Sequence, residues 1–416
     1  MIGTGVFTSL GFQVVDLKSG FTLLLLWLVG GIFAICGALT YSELGAAMPH
    51  SGGEYYYLSR IYHPLVGFLS GWVSVTVGFA APIAASAMAL GAYFSSVFPL
   101  VSPIAIALLV VIGVSFVHSR NLQFGSYFQL FFTLLKVLLI VILIACGLLL
   151  ADSQNLGFLP SSNDLSLIFS SPFAVSLVYV TYSYSGWNAA VYLASEVEEP
   201  EKNIPRSLIL GTLIVTGLYL LLNFIFLYTT PLNSLAGEVE VGYIAAGQIF
   251  GASGAKIMGI LISFGLISSI SSMVLAGPRV TQVIGEDIPL FKVLARKNGN
   301  GIPYYSILLQ LTIVIVLLIT SSFDRVITYL GFTLTLSSFI TVLGVFVHRF
   351  RYPHARRPYK TWGYPLTPLI FLGISLWMLI FILINKPTES LAGIATLLIG
   401  LIVYFVAAKN KLGWSA

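Results

Sequence analysis

The chain has 416 residues, of which 57% are hydrophobic and only 8% charged. A soluble domain carries ~25% charged residues, so the composition excludes a soluble globular protein and points to one embedded in a bilayer. The formal net charge of +5 does not signal nucleic acid, because the basic residues fall in short stretches between apolar runs.

A spanning helix takes ~20 apolar residues, and on that measure the chain divides into membrane elements of which the first is incomplete. They run over 1–13, 20–43, 65–98, 102–118, 124–150, 173–194, 207–230, 254–284, 303–321, 325–347, 366–385 and 389–408. The third and eighth are over-long, which predicts tilt or continuation past the bilayer. Met1 falls where a first helix should already be half-way across. The sequence is therefore expected to lack the cytoplasmic half of helix one, about ten apolar residues, and a basic tail upstream of it.

The opening MIGTGVF places Gly3, Thr4 and Gly5 just ahead of a short apolar helix. Cys36 and Cys146 each sit inside an apolar run, where Cys acts as a small hydrophobe; no disulfide framework, metal site or cofactor pattern is read. The connection Pro49–His63 (PHSGGEYYYLSRIYH) is amphipathic and Tyr-rich, a composition that favours the membrane interface. It reads as an inner gate hinged at Gly52 and Gly53, or equally as an ordinary interfacial loop. In the fifth element Lys136 stands in LLKVLLIVILIACGLLL. Arg120 and Gln123 mark the inner end of that helix, so Lys136 lies roughly 18–20 Å in at 1.5 Å per residue. A Lys stem does not snorkel back that far, and an ionisable group at such depth is by default functional.

The stretch Phe173–Pro205 (FAVSLVYVTYSYSGWNAAVYLASEVEEPEKNIP) is long enough to enter a bilayer, yet Ser183, Ser185 and Gly186 interrupt it. Gly frees the backbone, and Ser offers it hydrogen bonds that compete with the helical ladder. A broken helix in hydrocarbon is tolerated only where it lines a cavity, and paired breaks in two halves of a chain point to a transporter's binding site. The break at Gly3–Gly5 is the partner. Glu196, Glu198, Glu199 and Glu201 follow directly; they lack calcium-loop spacing and read as a solvated cap paired with Lys202 and Arg206.

Orientation follows from the bases in short loops. With the start of the chain inside, the inner loops and tail hold Arg60, Arg120, Lys202, Arg206, Arg279, Lys292, Arg296, Lys297, Arg349, Arg351, Arg356, Arg357, Lys360, Lys409 and Lys411. The outer loops hold only Lys18, Lys256, Arg325 and Lys386. Both ends are therefore expected in the cytoplasm, in a multi-pass protein of the cytoplasmic membrane.

Five segments are familiar: IGTGVF at 2–7, ALTYSELGAAMPHSGGEYYYL at 38–58, YSGWNAA at 184–190, EVEEPEKNIPRSL at 196–208 and AGPRV at 276–280. In this order and spacing the chain resembles the amino acid–polyamine–organocation superfamily of secondary transporters, nearest the L-type amino acid transporter branch. The likeness covers almost the whole chain. It implies an all-α polytopic fold, a single transmembrane domain over 1–416 with two inverted five-helix repeats at about 1–150 and 173–347, as in the leucine transporter. Two helices at about 366–408 are appended.

The resemblance places the substrate between broken helices one and six, and the chemistry of the residues agrees. Helix-start amides after Gly3-Thr4-Gly5 suit a carboxylate. Carbonyls at Met1 and Ile2, before the break, and around Tyr182 and Ser183 accept from an ammonium. No charged side chain stands at either break, so backbone dipoles would meet both charges of a zwitterion. By family position Tyr182 is an outer lid, Gly186 gives room beside the substrate, and Asn188 bonds within the site. Trp187 faces either the site or the packing. Ser185 replaces a Gly common in relatives and borders the side-chain pocket, which leaves substrate size open. Lys136 matches a Lys of sodium-independent relatives, whose ammonium would bridge carbonyls of helix one and the Ser268, Ser269, Ser271 and Ser272 cluster of helix eight.

These features imply a sodium-independent permease or exchanger of neutral L-amino acids working by alternating access. Animal relatives bond a heavy subunit through a Cys between helices three and four; VFPLVSP at 97–103 has none, which excludes a covalent partner by that route. A polyamine or organic-cation carrier would show an acid near a break, and the nearest is Glu196, about two turns past Gly186. A non-transporting amino acid sensor would carry the same site. An intramembrane enzyme is disfavoured because His50, His63, His118, His348 and His354 are scattered rather than clustered for catalysis or metal.

Overall fold

The computed structural model describes residues 1–120, 124–154, 156–162 and 164–409; Gln123 and Lys411, used above to place the inner end of helix five and the tail, lie outside the described residues. The helices in chain order are α1 (Gly5–Asp16), α2 (Gly20–Ala47), α3 (Glu54–Ile61), α4 (Pro64–Val97), α5 (Pro103–His118), α6 (Phe124–Leu150) and α7 (Ser171–Tyr184). They continue with α8 (Pro200–Thr229), α9 (Val241–Asp287), α10 (Tyr304–Thr320), α11 (Phe323–Arg351), α12 (Leu366–Asn385) and α13 (Pro387–Lys409). Among the described residues eight helices are long and apolar enough to cross a membrane, and α5 and α10 are shorter apolar helices. α1 and α7 are 12 and 14 residues long, too short to span, and each ends inside the protein. The chain is an all-α polytopic membrane protein.

Several boundaries follow from local chemistry. α7 starts at a Ser170 cap whose hydroxyl accepts from the Phe173 amide, with Pro172 in its first turn. It stops at Tyr184, ten residues short of the expected 194, because Gly186 takes φ +88, a backbone that residues with a Cβ rarely adopt. The chain resumes as a 3-10 helix at Ala189–Glu196. The helical stretch labelled α9 reaches back to Val241, but Gly251, at φ +73, is non-helical and divides it close to the expected start at 254. α3 lies in the connection read from sequence only as amphipathic. α4 contains one π-turn, Ser74–Gly78.

The longer helices pack chiefly in pairs. α1 packs on α7, α2 chiefly on α8, α4 chiefly on α9, and α5 also meets α10. α11 touches both α2 and α4, while α12 packs on α2 and α7 and α13 on α4. The site lies where the ends of α1 and α7 meet between these groups.

Candidate functional site

α1 and α7 cross at van der Waals contact because one position carries no side chain. A Cβ on Gly5 would stand 2.4 Å from the Cα and Oγ of Ser183. Ser9 of α1 and Thr4, the residue that precedes that helix, then lock the crossing. Ser9 Oγ donates to the Tyr179 carbonyl at 3.0 Å and lies 2.8 Å from Ser183 Oγ. Thr4 Oγ1 lies 2.7 Å from Ser86 Oγ of α4 and accepts from the Tyr182 hydroxyl at 3.2 Å.

Around the two breaks is a cavity of about 320 Å³. It is lined by Met1, Ile2, Gly3, Thr4 and Gly5 on one side and by Tyr182, Ser183, Ser185, Gly186 and Trp187 on the other. Trp187, left open by the sequence between site and packing, serves both, since its ring also meets Tyr41 at 4.7 Å and Phe371 at 6.0 Å. Asn188 is not among the lining residues; its Nδ2 donates to Glu54 at 3.3 Å. The Tyr219 hydroxyl donates to the Met1 carbonyl at 3.1 Å.

Lys136 enters the cavity wall from α6, and Gly265 of α9 leaves space for its stem, a Cβ there falling 3.1 Å from Lys136 Cγ. Its ammonium donates to the Ile2 carbonyl at 2.7 Å and to Ser269 Oγ at 3.2 Å. It carries the only charged side chain among the lining residues. Helical phase divides the serine cluster. Ser269 and Ser272 line the cavity, whereas Ser271 meets His118 Nε2 at 2.7 Å and Ser268 is buried away from the cavity wall.

The sequence reading did not single out Ser86, Gln129, Thr133 or Ser207, which also line the cavity. A signal was present for two of them. Gln129, Thr133 and Lys136 stand at i, i+4 and i+7 in an otherwise apolar helix, one polar stripe on one face. Ser86 and Ser207 carried no such pattern. Glu196 pairs with Arg279 at 3.3 Å and does not line the cavity. Among the described residues no group of His, Cys, Asp or Glu is placed to hold a metal ion.

At one end of the cavity aromatic rings converge. Phe12 stacks on Tyr179 at 5.3 Å and on Phe323 at 5.6 Å, and Tyr182 meets Phe323 edge-on at 6.4 Å. The Tyr179 hydroxyl donates to Asp324, which pairs with Lys386 at 3.3 Å. A hydroxyl-rich cavity with helix ends and the Lys136 ammonium at its wall suits a small zwitterion.

Residues 1–408 match the family described as amino acid permease. The chain belongs to the amino acid permease family. The permease is 27% identical over 416 residues to a serine/threonine exchanger of Bacillus subtilis (strain 168), covering 99% of this chain and 94% of that one. It is 27% identical to the b(0,+)-type amino acid transporter 1 of Mus musculus, over 100% of this chain and 86% of the relative. The large neutral amino acids transporter small subunit 2 of Mus musculus is 28% identical, over 98% and 78% respectively. The permease is thus a secondary transporter that moves amino acids across a membrane, and not an enzyme. Its two cysteines lie in α2 and α6 and are both free, and the connection between α4 and α5 has none.

Proposed function

We propose that this permease carries neutral L-amino acids by alternating access, without sodium, and works as an exchanger. The observation that carries this reading is the Lys136 ammonium, 2.7 Å from the Ile2 carbonyl at the α1 break and 3.2 Å from Ser269 of α9. A fixed cation that joins the broken helix to α9 does what a bound metal cation would otherwise do there, and like charges exclude one another from one site. Met1–Gly5 and Tyr182–Gly186, with their helix ends, bind the substrate's carboxylate and ammonium, and Tyr182 covers it. Among the described residues no carboxylate lines the cavity, which argues against a polyamine or organic cation. A volume near 320 Å³ suits a small or medium side chain, in keeping with the serine/threonine exchanger among the relatives.

The pairing of equivalent helices, α1 with α7, α2 with α8, α4 with α9 and α5 with α10, supports two inverted repeats of the leucine-transporter kind, with α12 and α13 appended. The ion pairs support the charge-based topology. Glu43–Arg349, Glu196–Arg279 and Glu201–Arg356 join segments assigned to the cytoplasm, and Asp324–Lys386 joins two assigned to the outside.

The test is uptake of labelled serine, threonine and larger neutral amino acids into proteoliposomes, with sodium or choline outside. Equal rates are expected in the two salts, and Lys136→Ala should accumulate normally yet transport at least ~10-fold less, since it loses two charge-assisted hydrogen bonds. A strict sodium requirement, or normal transport by Lys136→Ala, overturns the reading. Binding without flux would make the protein a sensor.

A further inference from the structure

Glu54 is the first residue of α3 and is 2% exposed. Gly52 and Gly53, at φ +112 and +54, turn the chain so that this side chain points into the protein. A Cβ on Gly53 would stand 2.5 Å from the Tyr192 ring. The carboxylate accepts hydrogen bonds from neutral donors of four other segments. On Oε1 they come from the Tyr41 hydroxyl of α2 at 2.6 Å, Ser338 of α11 at 3.2 Å and Asn188 of the second break at 3.3 Å. On Oε2 they come from Ser70 of α4 at 3.3 Å and from Ser337 of α11. Among the described residues no Lys, Arg or His forms an ion pair with it.

This arrangement differs from the other buried acid at the same end of the molecule. Glu43 is held by Arg349 at 2.6 Å and by the amide and hydroxyl of Thr361, so its charge is neutralised in place. The charge of Glu54 is tolerated only while several dipoles point at it together, and a partly satisfied buried network is worse than none. Those dipoles come from both packing groups of the fold. Tyr41 and Asn188 belong to α2 and the α7 extension, which pack with α8; Ser70 belongs to α4, which packs with α9. α3 packs chiefly on α4, so separating the groups strips Tyr41 and Asn188 from Oε1, and water must replace them. The complete set of donors therefore exists only while the two groups are together.

It also connects to the cavity. Tyr41, which donates to Glu54, sets its ring edge-on to Trp187 at 4.7 Å, and Trp187 lines the cavity. Asn188 lies two residues beyond Gly186, whose positive φ forms the break. A substrate that displaces Trp187 or the 185–188 segment thus acts on two of the donors.

We propose that Glu54 is a positioning residue that latches the cytoplasmic end of the permease shut and couples its release to occupancy of the cavity through Tyr41–Trp187 and Asn188. Glu54 does not touch the substrate. The inference rests on the alternating-access reading above, because a latch has meaning only if the two groups separate.

The experiment is tracer exchange by the full-length permease, reconstituted in one known orientation, with half-saturation measured separately from each side. Variants are Glu54→Ala and the double change Ser337→Ala with Ser338→Ala. Weakening an inner latch enlarges the inward-open population, so KM should fall on the cytoplasmic side and rise on the outer side, each by about threefold or more for Glu54→Ala. The serine double variant should shift both in the same senses by less, and it decides the matter if Glu54→Ala fails to fold. A purely structural role lowers Vmax by reducing the number of working carriers and leaves both KM values unchanged; that result overturns the latch. Absence of flux in the wild type instead overturns the transport reading on which it stands.

Discussion

The two ends of the second break, Tyr182 and Trp187, reach clusters of different chemistry. At one end Phe12, Tyr179, Tyr182 and Phe323 meet through ring faces and edges, with the Asp324–Lys386 pair beside them. At the other, one carboxylate gathers hydroxyl and amide donors from four segments. Aromatic contacts contribute ~0.5–1.5 kcal/mol each, and losing one leaves no buried polar group unmet. Hydrogen bonds to a buried charge are directional and mutually dependent, so the second opens as a unit.

The widest effect should come where both ends share a pivot. Gly5→Ala puts a methyl 2.4 Å from the Ser183 backbone, which neither helix can yield without separating. Overpacking of this kind costs ~1–3 kcal/mol or more. Uptake per molecule of protein in the membrane should fall more than ~10-fold, with both ends impaired together. Near-normal uptake would show that the α1–α7 crossing is not the pivot.

Tyr182 sharpens the comparison at the aromatic end. Tyr182→Ala removes the ring that meets Phe323 and should reduce uptake well beyond any fall in abundance. Tyr182→Phe loses one neutral hydrogen bond, at 3.2 Å to Thr4, worth ~1 kcal/mol or less, so its uptake should stay within about fivefold of wild type. Parallel loss of abundance and uptake in Tyr182→Ala would assign the ring to packing instead. The smallest effect is expected for Asp324→Asn. Its pair with Lys386 is about one-third exposed on each side, and such pairs contribute ~0–1 kcal/mol; the amide oxygen still accepts from Tyr179. Uptake should change less than about fivefold and should become less sensitive to ionic strength. A large loss would mean that this end, too, depends on a charge.

Much of this was legible in the sequence because bilayer helices announce themselves by length and apolarity. The limits 124–150 and 366–385 coincide with α6 and α12, and the break near Gly186 was marked by Ser and Gly in an apolar run. Lys136 stood out because a charge at that depth has no bland reading. What remained hidden depends on contacts distant along the chain. Glu54 looked like one acid in a Tyr-rich connection, since its partners lie from 13 to 284 residues away. The four serines of α9 read as one cluster; counting helical phase separates Ser269 and Ser272 from Ser268 and Ser271. The expected start at 254 lies close to the non-helical Gly251, and what was missed is the helical stretch from Val241 that precedes it.

The π-turn at Ser74–Gly78 of α4 has a consequence for angular register. Ser70 faces the Glu54 network and Ser86 faces Thr4 at the cavity. Sixteen residues of regular α-helix would set those two hydroxyls about 160° apart around the axis, nearly back to back. The wider turn absorbs one residue, and the remainder leaves them only about 60° apart. One inserted residue thus lets a single rod show a hydroxyl to each of two sites on nearly one face. Deleting it would rotate one of the two hydroxyls away without altering any residue of either site.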